Sequence, residues 1–213
     1  MSESNKRLCC ARCSKPEPVC LCAHVEPIDN RIAVSIYRHP SEVKKAVGTA
    51  ALAALCLNHC RIDDGELVSL PSLGSPGFER QRLLLFPPLE SASMGPANGG
   101  LIDAESVRNH YNLDQLELVV IDGSWKKARK MYYQSPDLQS LTKVVLSTDK
   151  QQALYTIRKA EKPGQFSTLE AIAAALSQIE QDWDKYQPLL VLQQAMVAKQ
   201  LALMDEGVRQ RYS

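Results

Sequence analysis

The sequence predicts an α/β fold, a mostly parallel sheet covered by helices, with a small cysteine-rich segment ahead of it. Three observations carry that prediction. Leu118-Val119-Val120-Ile121 is apolar at every position, the mark of a strand covered on both faces, as the strands of parallel sheets are. Further apolar runs at 31–37, 82–86 and 143–147 alternate with helix-patterned stretches, the sequence form of a βαβ architecture. Five of the seven cysteines fall within the first 22 residues.

Composition sets the bounds. With 213 residues, 45% of them hydrophobic and 23% charged, the chain has room for one sizeable core and a small appendage, and disorder is not expected. A net charge of +1 means that any nucleic-acid site must be a local basic patch. No run of about 18 apolar residues is present to cross a bilayer, and the opening Met1 to Arg7 lacks the apolar centre of a signal peptide. These features predict a cytoplasmic protein without membrane association, and nothing points to a protein partner. In a reducing compartment, crowded cysteines suggest metal rather than disulfides. The expected division is a zinc-binding segment at 1–27 and an α/β domain at 28–213.

In chain order, Cys10-x2-Cys13 and Cys20-x-Cys22 supply four thiolates on two short turns, suited to closed tetrahedral zinc. Cys9 and His24 are alternative ligands. Four protein ligands leave no open position, so the metal is expected to be structural. The strand at 31–37 is followed by the His39-Pro40-Ser41-Glu42 turn and an Ala/Leu/Val-rich helix reaching about Asn58, on which Cys56 and Cys60 sit four apart. Gly48-Thr49 interrupts that helix, which suggests close approach by a backbone or a ligand. A short strand is expected at 66–70. The strand at 82–86 is stopped by Pro87 and Pro88, and 91–100, rich in Gly, Pro, Ser and Asn, reads as a loop.

The strand ending at Ile121 runs into Asp122-Gly123-Ser124-Trp125 and a basic helix at 124–133, which Ser135-Pro136 ends. Beyond the strand at 143–147, Ser167-x-x-Glu170 is a capping box opening a helix at 168–179. A last helix, from near Pro188 to about Met204, should pack on the sheet through Leu192, Ala195, Met196 and Leu203. Ligands of open α/β sheets bind beyond the carboxyl ends of strands, so Asp122 is the carboxylate best sited for chemistry.

Asp122-Gly123-Ser124-Trp125, followed by Ala128-Arg129-Lys130-Met131, resembles the signature of the DTW-domain family, the aminocarboxypropyltransferases that modify uridine in tRNA. The resemblance extends over nearly the whole chain. It takes in Cys10, Cys13, Cys20 and Cys22, the His39–Glu42 turn, Thr49, Leu85-Phe86-Pro87, Arg158 and Ser167-Thr168-Leu169-Glu170-Ala171. Ser124 stands where threonine is commoner, and the hydroxyl is kept. What the resemblance implies is transfer of the 3-amino-3-carboxypropyl group of S-adenosylmethionine to N3 of a uridine, leaving 5′-methylthioadenosine, on a fold similar to the knotted SPOUT-like methyltransferases.

On that implication Asp122 is the candidate general base, because N3 of uridine is a poor nucleophile until its proton leaves. Thr49, Leu85, Phe86, Pro87, Gly123, Ser124, Arg158, Thr168 and Glu170 are candidate cofactor-binding residues. His39, Trp125, Lys126, Lys127, Arg129 and Lys130 are candidate RNA-binding residues, with Lys159 and Lys162 extending the patch. Arg158 suits a methionine carboxylate or an RNA phosphate equally. Glu170 can hold the methionine ammonium or serve only its capping box, and Trp125 can stack on a base or fill core. The alternatives are a SPOUT-type RNA methyltransferase and a non-catalytic zinc-containing RNA-binding protein.

Overall fold

The computed structural model describes residues 9–13, 15–43, 45, 48–71, 80–87, 99–147 and 166–203. Its centre is a six-stranded sheet in the order β2-β1-β5-β3-β6-β4, with every pair parallel. The strands are β1 (Ala33–Arg38), β2 (Cys60–Asp64), β3 (Gln81–Leu85), β4 (Leu101–Asp103), β5 (Leu116–Asp122) and β6 (Lys143–Val145). The helices are α1 (Ala50–Cys56), α2 (Ala104–His110), α3 (Trp125–Gln134), α4 (Pro136–Ser140), α5 (Thr168–Glu180) and α6 (Trp183–Ala202). The α/β prediction therefore stands.

Period-two alternation divides the sheet into two covered faces. Val34, Ile36, Leu83, Leu85, Leu118 and Val120 join the larger core, which contains buried residues of α1, α2, α5 and α6. Tyr37, Leu84, Val119 and Ile121 point the other way, into a smaller core with Ala128, Met131 and Tyr132 of α3 and Leu138 of α4. All seven residues of β5 are buried, as expected for a strand with neighbours on both edges and helices on both faces. Leu21, fully buried, belongs to the larger core and ties the cysteine segment to the α/β body.

Several elements differ from expectation. Residues 66–70 are not a strand; the edge strand lies upstream at Cys60–Asp64, so Cys60 is in β2 and not on the helix with Cys56. The polar sequence Cys-Arg-Ile-Asp-Asp hid it, because an edge strand pairing with β1 alone need not be apolar. The backbone at 66–70 is satisfied instead by side chains, with Val68 N–H donating to Ser135 Oγ at 2.9 Å and Leu70 N–H to Asp137 Oδ2 at 2.8 Å. The turn expected at 39–42 holds a 3-10 turn, Pro40–Glu42, and the long helix expected after it, to about Asn58, is among the described residues the short α1. β4, α2 and α4 were not anticipated.

The capping box behaves as predicted, with Ser167 Oγ accepting from Glu170 N–H and Glu170 Oε2 from Ser167 N–H. α6 begins at Trp183 rather than Pro188, because Asp182 accepts from Lys185 N–H and supplies the cap. Leu192 and Met196 are buried as expected, but Leu203 lies exposed just past the helix end. Residues 91–98 and the tract 148–165, and with them Arg158, Lys159 and Lys162, lie outside the described residues. Among the described residues no helix is long and apolar enough to cross a membrane.

Candidate active site

Strand order places Asp122. β1 continues through α1 to β2 on one side, while β5 continues through α3 and α4 to β6 on the other. The two connections diverge between β1 and β5, the switch point at which open α/β sheets form a crevice. Asp122 ends β5 there, in register with Arg38 of β1, and Phe86 and Pro87 run on from β3 at its other flank. As an even-numbered residue it faces the same way as Leu118 and Val120, toward α5.

Asp122 is 7% exposed and receives one side-chain hydrogen bond among the described residues, from Thr168 Oγ1 to Oδ1 at 2.6 Å. Burial pushes its pKa above the usual aspartate value, and nearby Glu42 pushes the same way; the Thr168 hydroxyl and the cations Arg38 and Lys45 only partly offset this. Arg38 does not neutralise it closely, because its guanidinium forks onto Asp64 at 2.7 and 3.1 Å. The result is a buried carboxylate held at one oxygen and poised to take up a proton.

The loop after β1 is pinned to this strand end. His39 N–H donates to Asp122 C=O at 2.9 Å. Its Nδ1 accepts from Ser41 N–H at 3.1 Å, so Nε2 carries the proton toward Glu66 Oε1 at 3.2 Å. Glu42, itself buried, pairs with Lys45 at 2.7 Å and Lys127 at 3.3 Å; burial opposes its ionisation, and the two ammonium groups outweigh burial and hold its pKa low. Lys127 also donates to Ser41 Oγ, and Lys130 bonds Glu66 at 2.7 Å. Of the cations expected to meet RNA, Lys127 and Lys130 therefore have acidic partners, whereas Lys126 and Arg129 have none among the described residues. His39 is 8% exposed and belongs to this latch.

Gly123 makes the tight exit from β5. A Cβ there would lie 3.3 Å from Lys127 Cβ and 3.6 Å from His39 Cβ, so the absence of a side chain lets α3 start close against the β1 loop. Ser124 is the N-cap of α3, yet its hydroxyl makes no capping bond, so the first-turn amides that follow Asp122 have no side-chain cap among the described residues. Thr49 likewise caps α1 without a side-chain bond.

The aromatic residues resolve differently from one another. Phe86 is 4% exposed and stacks between Trp125 at 5.4 Å and Tyr132 at 4.9 Å, so its ring is core and its main chain is what borders the crevice. Trp125 rests on Phe86 and is still 51% exposed, which is not core packing. Glu170 has its carboxylate engaged by the capping box. Thr168, expected at the cofactor, is placed against the candidate base. Sequence reading missed Glu66, Arg38 and Asp64; the sole signal was that all three lie at or just past the ends of β1 and β2.

At the amino end, Cys10, Cys13, Cys20 and Cys22 bring their sulfurs within 4.8 Å of one another and could hold a metal ion. Cys10 and Cys22 are 3.6 Å apart and Cys13 and Cys20 3.7 Å, close to the roughly 3.8 Å edge of a tetrahedron with metal–sulfur bonds of about 2.3 Å. Backbone N–H groups of Cys13 and Arg12 hold the Cys10 thiol down at about 6, while burial and the neighbouring thiols push Cys22 up to about 12.

The DTW domain family model matches residues 7–201. The chain belongs to the DTW-domain family. It is 29% identical over 199 residues to a Macaca fascicularis protein named tRNA-uridine aminocarboxypropyltransferase 2, covering 90% of this chain and 63% of that one. The Mus musculus protein of the same name is 28% identical over 208 residues, covering 94% and 66%. An Arabidopsis thaliana protein named tRNA-uridine aminocarboxypropyltransferase A is 26% identical over 209 residues, covering 88% and 78%. This DTW chain thus spans just under two thirds of the length of the two mammalian relatives. No solved structure matches it significantly.

Proposed function

We propose that this DTW protein transfers the 3-amino-3-carboxypropyl group from S-adenosylmethionine to N3 of a uridine in tRNA. The observation that carries the proposal is the buried, proton-seeking Asp122 at the switch point of the sheet, in a chain related to proteins named for that reaction. The donor, when bound, supplies a sulfonium that makes the transferred carbon electrophilic. What this chain must provide is a base, a rigid placement of it and a docking face for the nucleotide.

Thr168 donates to Oδ1 of Asp122, fixing the carboxylate plane and leaving Oδ2 as the acceptor for the N3 proton. A base with a raised pKa accepts that proton more readily than an ordinary surface aspartate. The first turn of α3, the Ser124 and Thr49 hydroxyls, which make no capping bond, and the main chain of Leu85 to Pro87 fit the amino-acid and nucleoside polar groups of the donor. Trp125 offers an exposed aromatic face for the uracil, and Lys126 and Arg129 face phosphate. Cys10, Cys13, Cys20 and Cys22 would hold one structural zinc, closing the amino-terminal turns that dock on α6.

The test is incubation with S-adenosylmethionine and unmodified tRNA, followed by nucleoside mass spectrometry and analysis of the small product. Aminocarboxypropyl-uridine with 5′-methylthioadenosine is expected. Methylated nucleoside with S-adenosylhomocysteine would turn the reading to a methyltransferase, and no modification across a full tRNA pool would leave only a binding protein. Protein purified without chelator is expected to carry one zinc per chain by mass spectrometry, and Cys20→Ser to carry none.

A further inference from the structure

Two features of α3 are left over once the strand-end crevice is accounted for. Tyr133 is 53% exposed, and it and Trp125 are the two aromatic residues among the exposed large hydrophobics of the described chain. They stand eight positions apart with Arg129 midway, an i, i+4, i+8 series that puts all three on one stripe about 12 Å long. The Arg129 guanidinium lies over the Tyr133 ring at 5.9 Å.

The stripe is braced from beneath. Trp125 stacks on Phe86, Phe86 on Tyr132, and Tyr132 meets Tyr133 edge-on at 5.3 Å and 73°. Phe86 and Tyr132 are both buried, so the two exposed rings are held by a continuous aromatic stack and spend little side-chain freedom on binding. The charge on this helix is also one-sided: its ten residues include four cations and no acid. Lys127 and Lys130 are bonded to Glu42 and Glu66, whereas Lys126 and Arg129, beside the exposed rings, have no acidic partner among the described residues.

We infer that Tyr133 and Arg129 form a second stacking subsite, for an unpaired nucleotide flanking the one that meets Trp125, so that α3 binds a single-stranded RNA segment rather than a lone base. The inference rests on the proposed tRNA substrate and names a part of the surface that engages it. Open rings at both ends of the stripe, each next to an unneutralised cation, match the alternation of base and phosphate along single-stranded RNA. Stacked nucleotides rise about 3.4 Å each, so a span of about 12 Å separates bases on different nucleotides.

The experiment is fluorescence anisotropy with end-labelled tRNA and an end-labelled uridine octanucleotide, using the full chain. Tyr133→Ala is expected to weaken octanucleotide binding roughly fivefold to a hundredfold, the ordinary loss for removing one stacked base, while Tyr133→Phe stays within twofold of the parent. Tyr133→Leu keeps apolar contact with Tyr132 but has no aromatic face, and it is expected to behave as the alanine variant does; it decides the matter if alanine unfolds the protein. Arg129→Ala is expected to weaken binding and to flatten its salt dependence. Affinity of Tyr133→Leu within twofold of the parent overturns the inference, as does a parent protein that binds neither RNA but retains an acidic polypeptide such as polyglutamate. These readings do not depend on turnover: a protein that binds RNA through Tyr133 yet makes no aminocarboxypropyl-uridine defeats the proposed reaction and leaves the subsite standing.

Discussion

β5 carries a buried carboxylate near each end, and the two are treated in opposite ways. Glu117, 5% exposed, faces the α3 side, where Ser35 Oγ, Arg82 Nε at 2.7 Å and Arg61 Nη2 at 3.1 Å all donate to it. Burial opposes its ionisation, but these donors outweigh it and its pKa falls below the usual glutamate value. Asp122, 7% exposed, faces α5 and has, among the described residues, Thr168 alone as side-chain donor, and its pKa rises. Equal burial thus gives opposite charge behaviour, and the difference lies in the donors each side of the sheet supplies. Glu117 is finished as structure; Asp122 keeps Oδ2 without a side-chain donor among the described residues, as the proposed base requires.

The largest expected effect comes from breaking the finished site. Glu117→Ala leaves Arg82, whose side chain is 5% exposed, without its buried counter-charge and should cost about 3–5 kcal/mol of stability in chemical denaturation. Asp122→Asn should instead leave the fold intact and lower aminocarboxypropyl transfer by about 10²- to 10⁴-fold, measured as product per minute at saturating tRNA. Unchanged activity in that variant would remove Asp122 as the base.

The signs of the two shifts separate the sites further. Asp122 has a raised folded pKa, so its contribution is full below the ordinary aspartate range and is lost as pH rises through the raised value. Asp122→Asn should therefore be as stable as the parent in acid and more stable at neutral pH. Glu117 has a lowered folded pKa, so its contribution is present above the ordinary glutamate range and is lost as pH falls through the lowered value. Thermal melts across pH should show both variants converging on the parent in acid and departing from it in opposite directions toward neutral pH, Asp122→Asn more stable and Glu117→Gln less.

Smaller changes sharpen the contrast. Thr168→Val removes a bond to the charged form, so it should reduce transfer about tenfold and move the acidic limb of the pH–rate profile upward. A purely structural Thr168 would lower stability without moving that limb. Ser35→Ala removes one of several donors to Glu117 and should cost only about 1 kcal/mol, with no change in the pH–rate profile.

The same contrast explains what could be read in advance. Asp122 was visible because it breaks an apolar run at a strand end, and the cysteine pairs because their spacing is short-range. Glu117 was not, since one glutamate at the start of a strand carries no sign that Ser35, Arg61 and Arg82 converge on it from three other strands or strand edges. β2 was misplaced by a few residues because polar edge strands lack periodicity, and β4 because three residues are too few to show any. The capping box at Ser167 and Glu170 was legible for the opposite reason, its two bonds closing within four residues.

By itself the sequence determined the α/β class, the cysteine cluster, the position of the strand-end aspartate and the basic character of the helix that follows, all properties carried by neighbours within a turn or two of chain. Tertiary structure decided which face of β5 each carboxylate meets, that Thr168, 46 residues downstream, holds Asp122, and that Lys127 and Lys130 are neutralised while Lys126 and Arg129 have no acidic partner among the described residues. Those outcomes depend on strand order and sheet face, and side-chain alternation turns a one-residue difference along β5 into opposite surroundings.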